Sequence, residues 1–357
     1  SSNRWIRSSR GYWALADAAA LALRCVDDAE TAHEVAAWSM RKGLNPVMRA
    51  LDDERRTMLT TSVLGLTVPS PVGVAAGFDK KGELSAALRE MGFGFVEVGG
   101  VTPTSQDGNP RPRIFRLVED QALVNRVGLP NRGAVPTAET LRTTRRGVVG
   151  VNCAKQGPVD DYATVAAAVT DVCDFLVVNA SCPNVRGGVV VDAGELGRSI
   201  RLTKRAAKGT PVLVKVSPDV TDLGPVAKVL RREGVDGIVL ANTTKRRPDD
   251  LVSANKDQVG GLSGRPLADN TKRLVSQFYA LTNGTIPIVA VGGVFDGRDA
   301  YALVKAGATL VQIYTGLVYR PPSQTADIHA NLADLAKADG FATIQAAVGA
   351  DHRRPSS

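Results

Sequence analysis

The sequence predicts an α/β fold, a (β/α)8 TIM barrel with a small N-terminal helical module. Three observations predict it. From residue 70 onward eight short β-rich runs alternate with helical stretches, at 72–76, 94–98, 148–152, 175–179, 211–216, 237–242, 287–291 and 309–314. Their spacing fits β-helix-β units with some long loops, and eight units over ~250 residues are what such a barrel needs. Every run also ends in glycine or a polar residue. In order these are Ala76-Gly77, Gly99-Gly100, Asn152, Asn179, Lys215, Asn242-Thr243, Gly292-Gly293 and Tyr314-Thr315. Barrels carry their active-site groups at the C-terminal strand ends, so this pattern is what the fold demands. Finally, 357 residues suit one barrel plus a module. A doubly wound sheet competes, but no G-x-G-x-x-G turn follows the first run.

The preceding segment, 1–60, reads as a helical module distinct from a barrel at 61–357. Leu15, Ala18, Ala19, Ala22 and Leu23 recur at helical spacing, and Ala32, Val35, Ala36, Ser39 and Met40 form a second run ending at Gly43. All three tryptophans, Trp5, Trp13 and Trp38, lie here. Such a module either lies on a membrane surface and frames an apolar ligand entrance, or packs its apolar face on the barrel. Residues 1–16 carry Arg4, Arg7 and Arg10 and no acid, a pattern similar to the tail of an organelle-targeting segment, and Ser1 fits a processed start.

Composition removes several function classes. Apolar residues at 44% and charged residues at 22% describe an ordinary globular chain. No apolar run approaches the ~18 residues of a membrane span. The three histidines, His33, His329 and His352, lie near the chain ends, which excludes a paired-histidine mechanism in mid-fold and a His-rich metal site. Cys25, Cys153, Cys173 and Cys182 show no C-x-x-C spacing, so no metal is expected. The net charge of +8 comes from basic residues spread over helices and loops without aromatic interleaving, which argues against nucleic-acid binding.

The strand ends suggest their own ligand. The seventh and eighth ends of a barrel form its usual phosphate corner, and glycines there let backbone N–H groups approach an anion. Amides such as Asn152, Asn179 and Asn242 donate and accept, and so read the edge of a flat heterocycle. Lys215 closes a buried strand, which is costly unless an anion meets it. Lys80, after Ala76-Gly77-Phe78-Asp79, is placed for a second anionic group. Cys182, on the polar loop after the fourth run, is the candidate base, since an unperturbed thiol titrates near 8.5. Cys153 is a weaker candidate, and Cys25 and Cys173 read as helix packing.

These residues bring a resemblance with them. Residues 75–80 (AAGFDK), 108–113 (GNPRPR), 115–117, 124–126, 242–244, 260–267 (GGLSGRPL), 291–293, 310–314 and 349–354 together resemble dihydroorotate dehydrogenase, specifically its membrane-associated, quinone-using class. The tail is similar to the animal mitochondrial branch. The resemblance implies FMN-dependent oxidation of dihydroorotate to orotate in pyrimidine synthesis, with electrons passed to ubiquinone. It implies FMN contacts at Ala76, Gly77, Lys80, Gly100, Asn152, Asn179, Lys215, Gly264, Gly293, Tyr314 and Thr315. Substrate would meet Lys80, Asn125, Asn179, Asn184, Asn242 and Thr243, and Arg116 and Tyr314 would flank the quinone path. The implied location is peripheral, on the mitochondrial inner membrane, through the N-terminal helices.

Three departures stand out. Cys182 replaces the serine of the quinone class and is similar to the soluble class. Leu129-Pro130-Asn131 replaces Phe-Asn-Asn or Phe-Asn-Ser. Val185 replaces a threonine, and Arg186-Gly187-Gly188 replaces the Gly-Leu-Arg that follows. A quinone-class frame thus carries a soluble-class base loop. Two alternatives follow: a redeployed flavin-bearing subunit of a larger mitochondrial assembly with little turnover, or the same oxidation with a non-quinone acceptor such as fumarate or a nucleotide. Dihydropyrimidine and dihydrouridine enzymes also pair FMN barrels with a cysteine, but lack the GGLSGRPL segment and the N-terminal module.

Overall fold

The computed structural model describes residues 7–48, 51–180 and 192–353. Within them eight parallel strands close into a barrel in sequence order. They are β1 (Val72–Asp79), β2 (Phe95–Val101), β3 (Val148–Cys153), β4 (Phe175–Asn179), β5 (Val212–Val216), β6 (Gly237–Leu240), β7 (Ile288–Val291) and β8 (Leu310–Ile313). All eight coincide with the runs read from the sequence. The last strand closes on the first, with Gln312 opposite Gly73.

Strand alternation divides the core in two. One set of side chains, including Val74, Val96, Val151, Val178, Val214 and Ile238, faces the surrounding helices. The other, including Ala75, Phe95, Phe175, Val177, Leu213, Val239, Val289 and Leu310, fills the barrel. Phe95 and Phe175 meet edge to face at 6.2 Å between ring centres. Two glycines make room for them. A Cβ at Gly73 would lie 2.5 Å from the Phe95 ring, and one at Gly150 would lie 2.1 Å from Phe175. Above this apolar floor the inward positions turn polar: Glu97, Asn152, Gln312, Asn179 and Lys215. The barrel is therefore plugged below and chemically equipped above.

Smaller sheets, which the sequence did not announce, surround the barrel. Ile114–Leu117, Ala122–Asn125 and Gly261–Gly264 form a three-stranded antiparallel sheet, and Thr104–Gln106 pairs with Asn131–Gly133. A hairpin, Thr61–Val63 with Leu66–Val68, precedes β1. The N-terminal segment is helical as expected, with α1 (Arg10–Arg24), α2 (Ala29–Arg41) and α3 (Asp53–Leu59). Ser9, Asp28 and Asp52 cap them by accepting first-turn N–H groups. No described helix is long and apolar enough to cross a membrane.

At the closed end of the barrel, His329 on the helix Ser323–Ala338 is fully buried. Its Nδ1 pairs with Ser70 Oγ at 2.8 Å, while Nε2 has no partner. Burial lowers its pKa from 6.5 to about 4. Between those values the unfolded chain binds a proton that the folded chain refuses. Stability is therefore full above pH 6.5 and is lost as the pH falls toward 4, with His329 contributing of the order of 3 kcal/mol. Urea midpoints at pH 7.5 and pH 5 should differ more for the wild type than for His329→Asn, which keeps a partner for Ser70 and cannot titrate. An equal difference in both would remove His329 from this role.

Candidate active site

The C-terminal strand ends open into one pocket. It is lined by Ala76, Gly77, Lys80, Gly100, Asn125, Asn152, Asn179, Lys215, Asn242, Thr243, Gly264, Gly293, Tyr314 and Thr315, together with other strand-end residues. Every site residue named from the sequence lies here except three. Arg116 lies in the neighbouring sheet. Cys182 and Asn184, with the rest of the 185–188 loop, fall outside the described residues.

Three kinds of group meet in the pocket. The first is exposed backbone. Gly293, at φ +75°, follows β7, and a Cβ there would lie 2.4 Å from Ala268 Cα, so only glycine fits. This corner is rigid. Asp299 accepts from Phe295 N at 2.8 Å and from Arg265 at 2.8 Å, and with Asp296 it caps the helix Gly297–Ala306. Across the corner Thr315 Oγ1 donates to or accepts from Ser263 Oγ at 2.9 Å.

The second group is cationic. Lys215 is 5% exposed and makes no hydrogen bond or ion pair among the described residues. Lys80 sits on a loop fixed by Asp79, whose buried carboxylate accepts from Glu83 N at 3.0 Å and Leu84 N at 2.9 Å. Burial lowers the Lys80 pKa, opposed mainly by Glu30. A buried and a half-buried cation at one pocket favour an anionic ligand.

The third group is a chain of amides. Asn179 Nδ2 donates to Asn152 Oδ1 at 2.9 Å, and Asn152 Nδ2 donates to Glu97 Oε1 at 2.6 Å. Gln312 Nε2 donates to Glu97 Oε2 at 2.6 Å. Asn179 Oδ1 and Gln312 Oε1 are left buried without partners. Asn242 Oδ1 accepts from Thr243 N at 2.8 Å, which ties these two neighbours together. Glu97 and Gln312 were missed from the sequence. The available signal was a lone acid and a lone amide at inward positions of otherwise apolar strands.

The N-terminal module docks beside this pocket. Glu30 of α2 is 6% exposed and accepts two bonds from Arg113, at 2.7 and 2.9 Å. Arg116 donates to Val26 O at 2.5 Å and to Leu23 O at 3.3 Å, so it holds the end of α1. His33, read from the sequence only as remote from the fold centre, packs edge-on against Phe78 at 4.9 Å. Phe78 in turn meets Tyr314 at 5.9 Å, giving a line of rings from the module to the pocket. Burial drops His33 to about 3, with Lys80 adding to the fall, and raises Tyr314 to about 12. Both rings are therefore neutral at physiological pH. The remaining thiols are unsuited to base chemistry. Cys153 faces the outer core and burial pushes it well up, Cys173 is pushed to about 12, and Cys25 is exposed after α1 rather than packed as expected.

A closed parallel barrel with glycine backbone, two lysines and chained amides lining its mouth is suited to a flat, anionic heterocycle. The dihydroorotate dehydrogenase family model matches residues 58–335. The quinone-dependent dihydroorotate dehydrogenase of Rhodospirillum rubrum is 42% identical, over 93% of this chain and 94% of its own. The mitochondrial quinone-dependent enzyme of Mus musculus is 43% identical, over 93% and 89%. The crystal structure of the Eimeria tenella enzyme in complex with ferulenol has a TM-score of 0.86 at 36% identity, covering 91% of this chain and 96% of that one. The chain belongs to the dihydroorotate dehydrogenase family, whose members are flavin-dependent, and its activity is the oxidation of dihydroorotate with a quinone as acceptor.

Proposed function

We propose that the flavin is FMN, whose phosphate Gly264, Gly293 and Thr315 would hold and whose ring Asn152, Asn179 and Lys215 would hold. The donor set fits the group: glycine backbone would take the phosphate, Lys215 would face negative charge on the ring, and ring N–H groups would supply donors to the orphaned oxygens of Asn179 and Gln312. Bound there, FMN would supply the hydride acceptor and the electron carrier between dihydroorotate and quinone.

The chain's own residues do the rest. Dihydroorotate becomes orotate by losing a proton from C5 and a hydride from C6, which leaves the C5=C6 double bond. Cys182 takes the C5 proton onto its sulfur. Lys80 meets the substrate carboxylate, and Asn125, Asn179, Asn184, Asn242 and Thr243 hold the ring, so positioning supplies much of the acceleration. Asp79 keeps the Lys80 loop in place, and the sheet carrying Asn125 and Gly264 forms one wall of the pocket.

Ubiquinone approaches between the module (1–60) and the barrel (61–357), past Arg116 and Tyr314. The module also faces a membrane. Leu15, Leu21, Val35, Trp38 and Leu44 are 44% or more exposed, and all lie on the first two helices or just beyond them. The Leu15 stripe read from the sequence points away from the barrel, which supports the membrane-surface reading over packing. With the basic N-terminus and the mitochondrial mouse relative, this favours a peripheral site on the mitochondrial inner membrane.

The observation that carries the reading is the convergence of backbone, cation and amide groups in one pocket. Anaerobic dihydroorotate should bleach the flavin absorbance, and a short-chain quinone should restore it faster than fumarate. Absence of bleaching favours the redeployed subunit, and faster recovery with fumarate favours the other acceptor.

A further inference from the structure

The amide chain has a direction, and one residue sets it. Glu97 is fully buried on β2 between inward-facing Phe95 and Gly99. Both of its oxygens accept, one from Asn152 and one from Gln312. A carboxylate is acceptor-only, so each amide must turn its NH2 toward Glu97. Asn152 then turns its oxygen away from Glu97, Asn179 must donate to it, and the Asn179 oxygen is left buried without a partner in a residue that lines the pocket. Gln312 likewise has its oxygen left over. Two unpaired acceptors on a buried wall are costly unless a ligand brings donors.

We infer that Glu97 is a positioning residue that fixes the hydrogen-bond polarity of the pocket wall, making it select ligands with ring N–H groups. The inference rests on the FMN reading and deepens it. Its logic is discrete. In Glu97→Gln, the new amide has one oxygen and one NH2 for two neighbours that both donate. Whichever way Gln at 97 lies, either Gln312 or the Asn152–Asn179 pair must turn over. One wall acceptor then becomes a donor pointing at the N–H of the ligand.

The same logic predicts a rescue. In Glu97→Gln with Asn152→Asp, the carboxylate moves one station up the chain. It accepts from the amide at 97 and from Asn179, while the oxygen at 97 accepts from Gln312. Both wall acceptors are restored and the total charge is unchanged.

The test is FMN titration of flavin-free protein, read by quenching of flavin fluorescence, with no turnover involved. Glu97→Gln should bind FMN roughly 10-fold or more weakly, the cost of one mismatched buried hydrogen bond. The double variant should bind FMN about 3-fold or more tightly than Glu97→Gln, even though Asn152 is itself a proposed flavin contact. A merely structural Glu97 gives the opposite order, because a second buried lesion adds to the first. Wild-type affinity in Glu97→Gln, or a double variant no tighter than the single, overturns the proposal. If Glu97→Gln does not fold, the double variant decides alone: a folded double variant that binds FMN upholds the relay, and misfolding or loss of FMN binding overturns it. Wild-type protein that takes up no FMN sinks the FMN reading itself, an outcome distinct from binding that the variants leave unchanged.

Discussion

Replacing Cys182 by alanine should leave FMN bound and slow flavin reduction by dihydroorotate ~10²-fold or more, the usual contribution of a positioned base. Stopped-flow absorbance under anaerobic conditions reads this directly, and an unchanged rate removes Cys182 as the base. The other candidate groups among the described residues are poorly suited to the role. Cys153 and Cys173 have thiols raised by burial, and Cys153 faces away from the pocket. Of the titratable rings nearest the pocket, His33 at about 3 is too weak a base to take the proton, and Tyr314 at about 12 keeps its own. Cys182→Ser should do no better than Cys182→Ala. A serine hydroxyl needs a neighbour to relay its proton, and Val185 has no hydroxyl where the quinone class has threonine. A serine variant that keeps most of the rate would show that the loop has another proton route.

Much of this site was legible because barrel strands are buried on both faces. Their interiors read as apolar runs, so a polar residue at the end of each, such as Asn179 or Lys215, stands out. The same physics hid Glu97 and Gln312. They lie inside their strands, among apolar neighbours in sequence, and acquire meaning only when β2, β3, β4 and β8 are brought together around the barrel. The sheet joining Ala122–Asn125 to Gly261–Gly264 was equally hidden, because its partners lie more than a hundred residues apart. In the module, helical periodicity located the stripe of Leu15 correctly but not its direction. Periodicity reports that a helix has an apolar face; whether protein or lipid covers it depends on packing elsewhere, here on Trp13, Ala32 and Ala37 turning inward instead.

Lys215 should show opposite effects on the empty and loaded protein. The residue is 5% exposed on β5, and its ammonium makes no hydrogen bond or ion pair among the described residues. Desolvating such a charge without a partner costs free energy, so Lys215→Met should raise the melting temperature of flavin-free protein. A well-packed apolar replacement of a buried charge commonly gains about 1–4 kcal/mol. In the loaded enzyme the same charge is placed to meet negative charge at the flavin ring. Its loss there should slow flavin reduction by ~10²-fold, the scale seen when one preorganised electrostatic contact is removed. FMN should also stabilise the variant less than it stabilises the wild type, since the ligand no longer offsets a buried charge. Differential scanning fluorimetry with and without FMN measures both halves. A variant that melts lower when empty means that Lys215 already has a partner in the fold. An unchanged reduction rate means that the charge does not reach the flavin. Only a gain in the empty protein combined with a loss in the loaded one matches a cation kept in the barrel wall for its ligand.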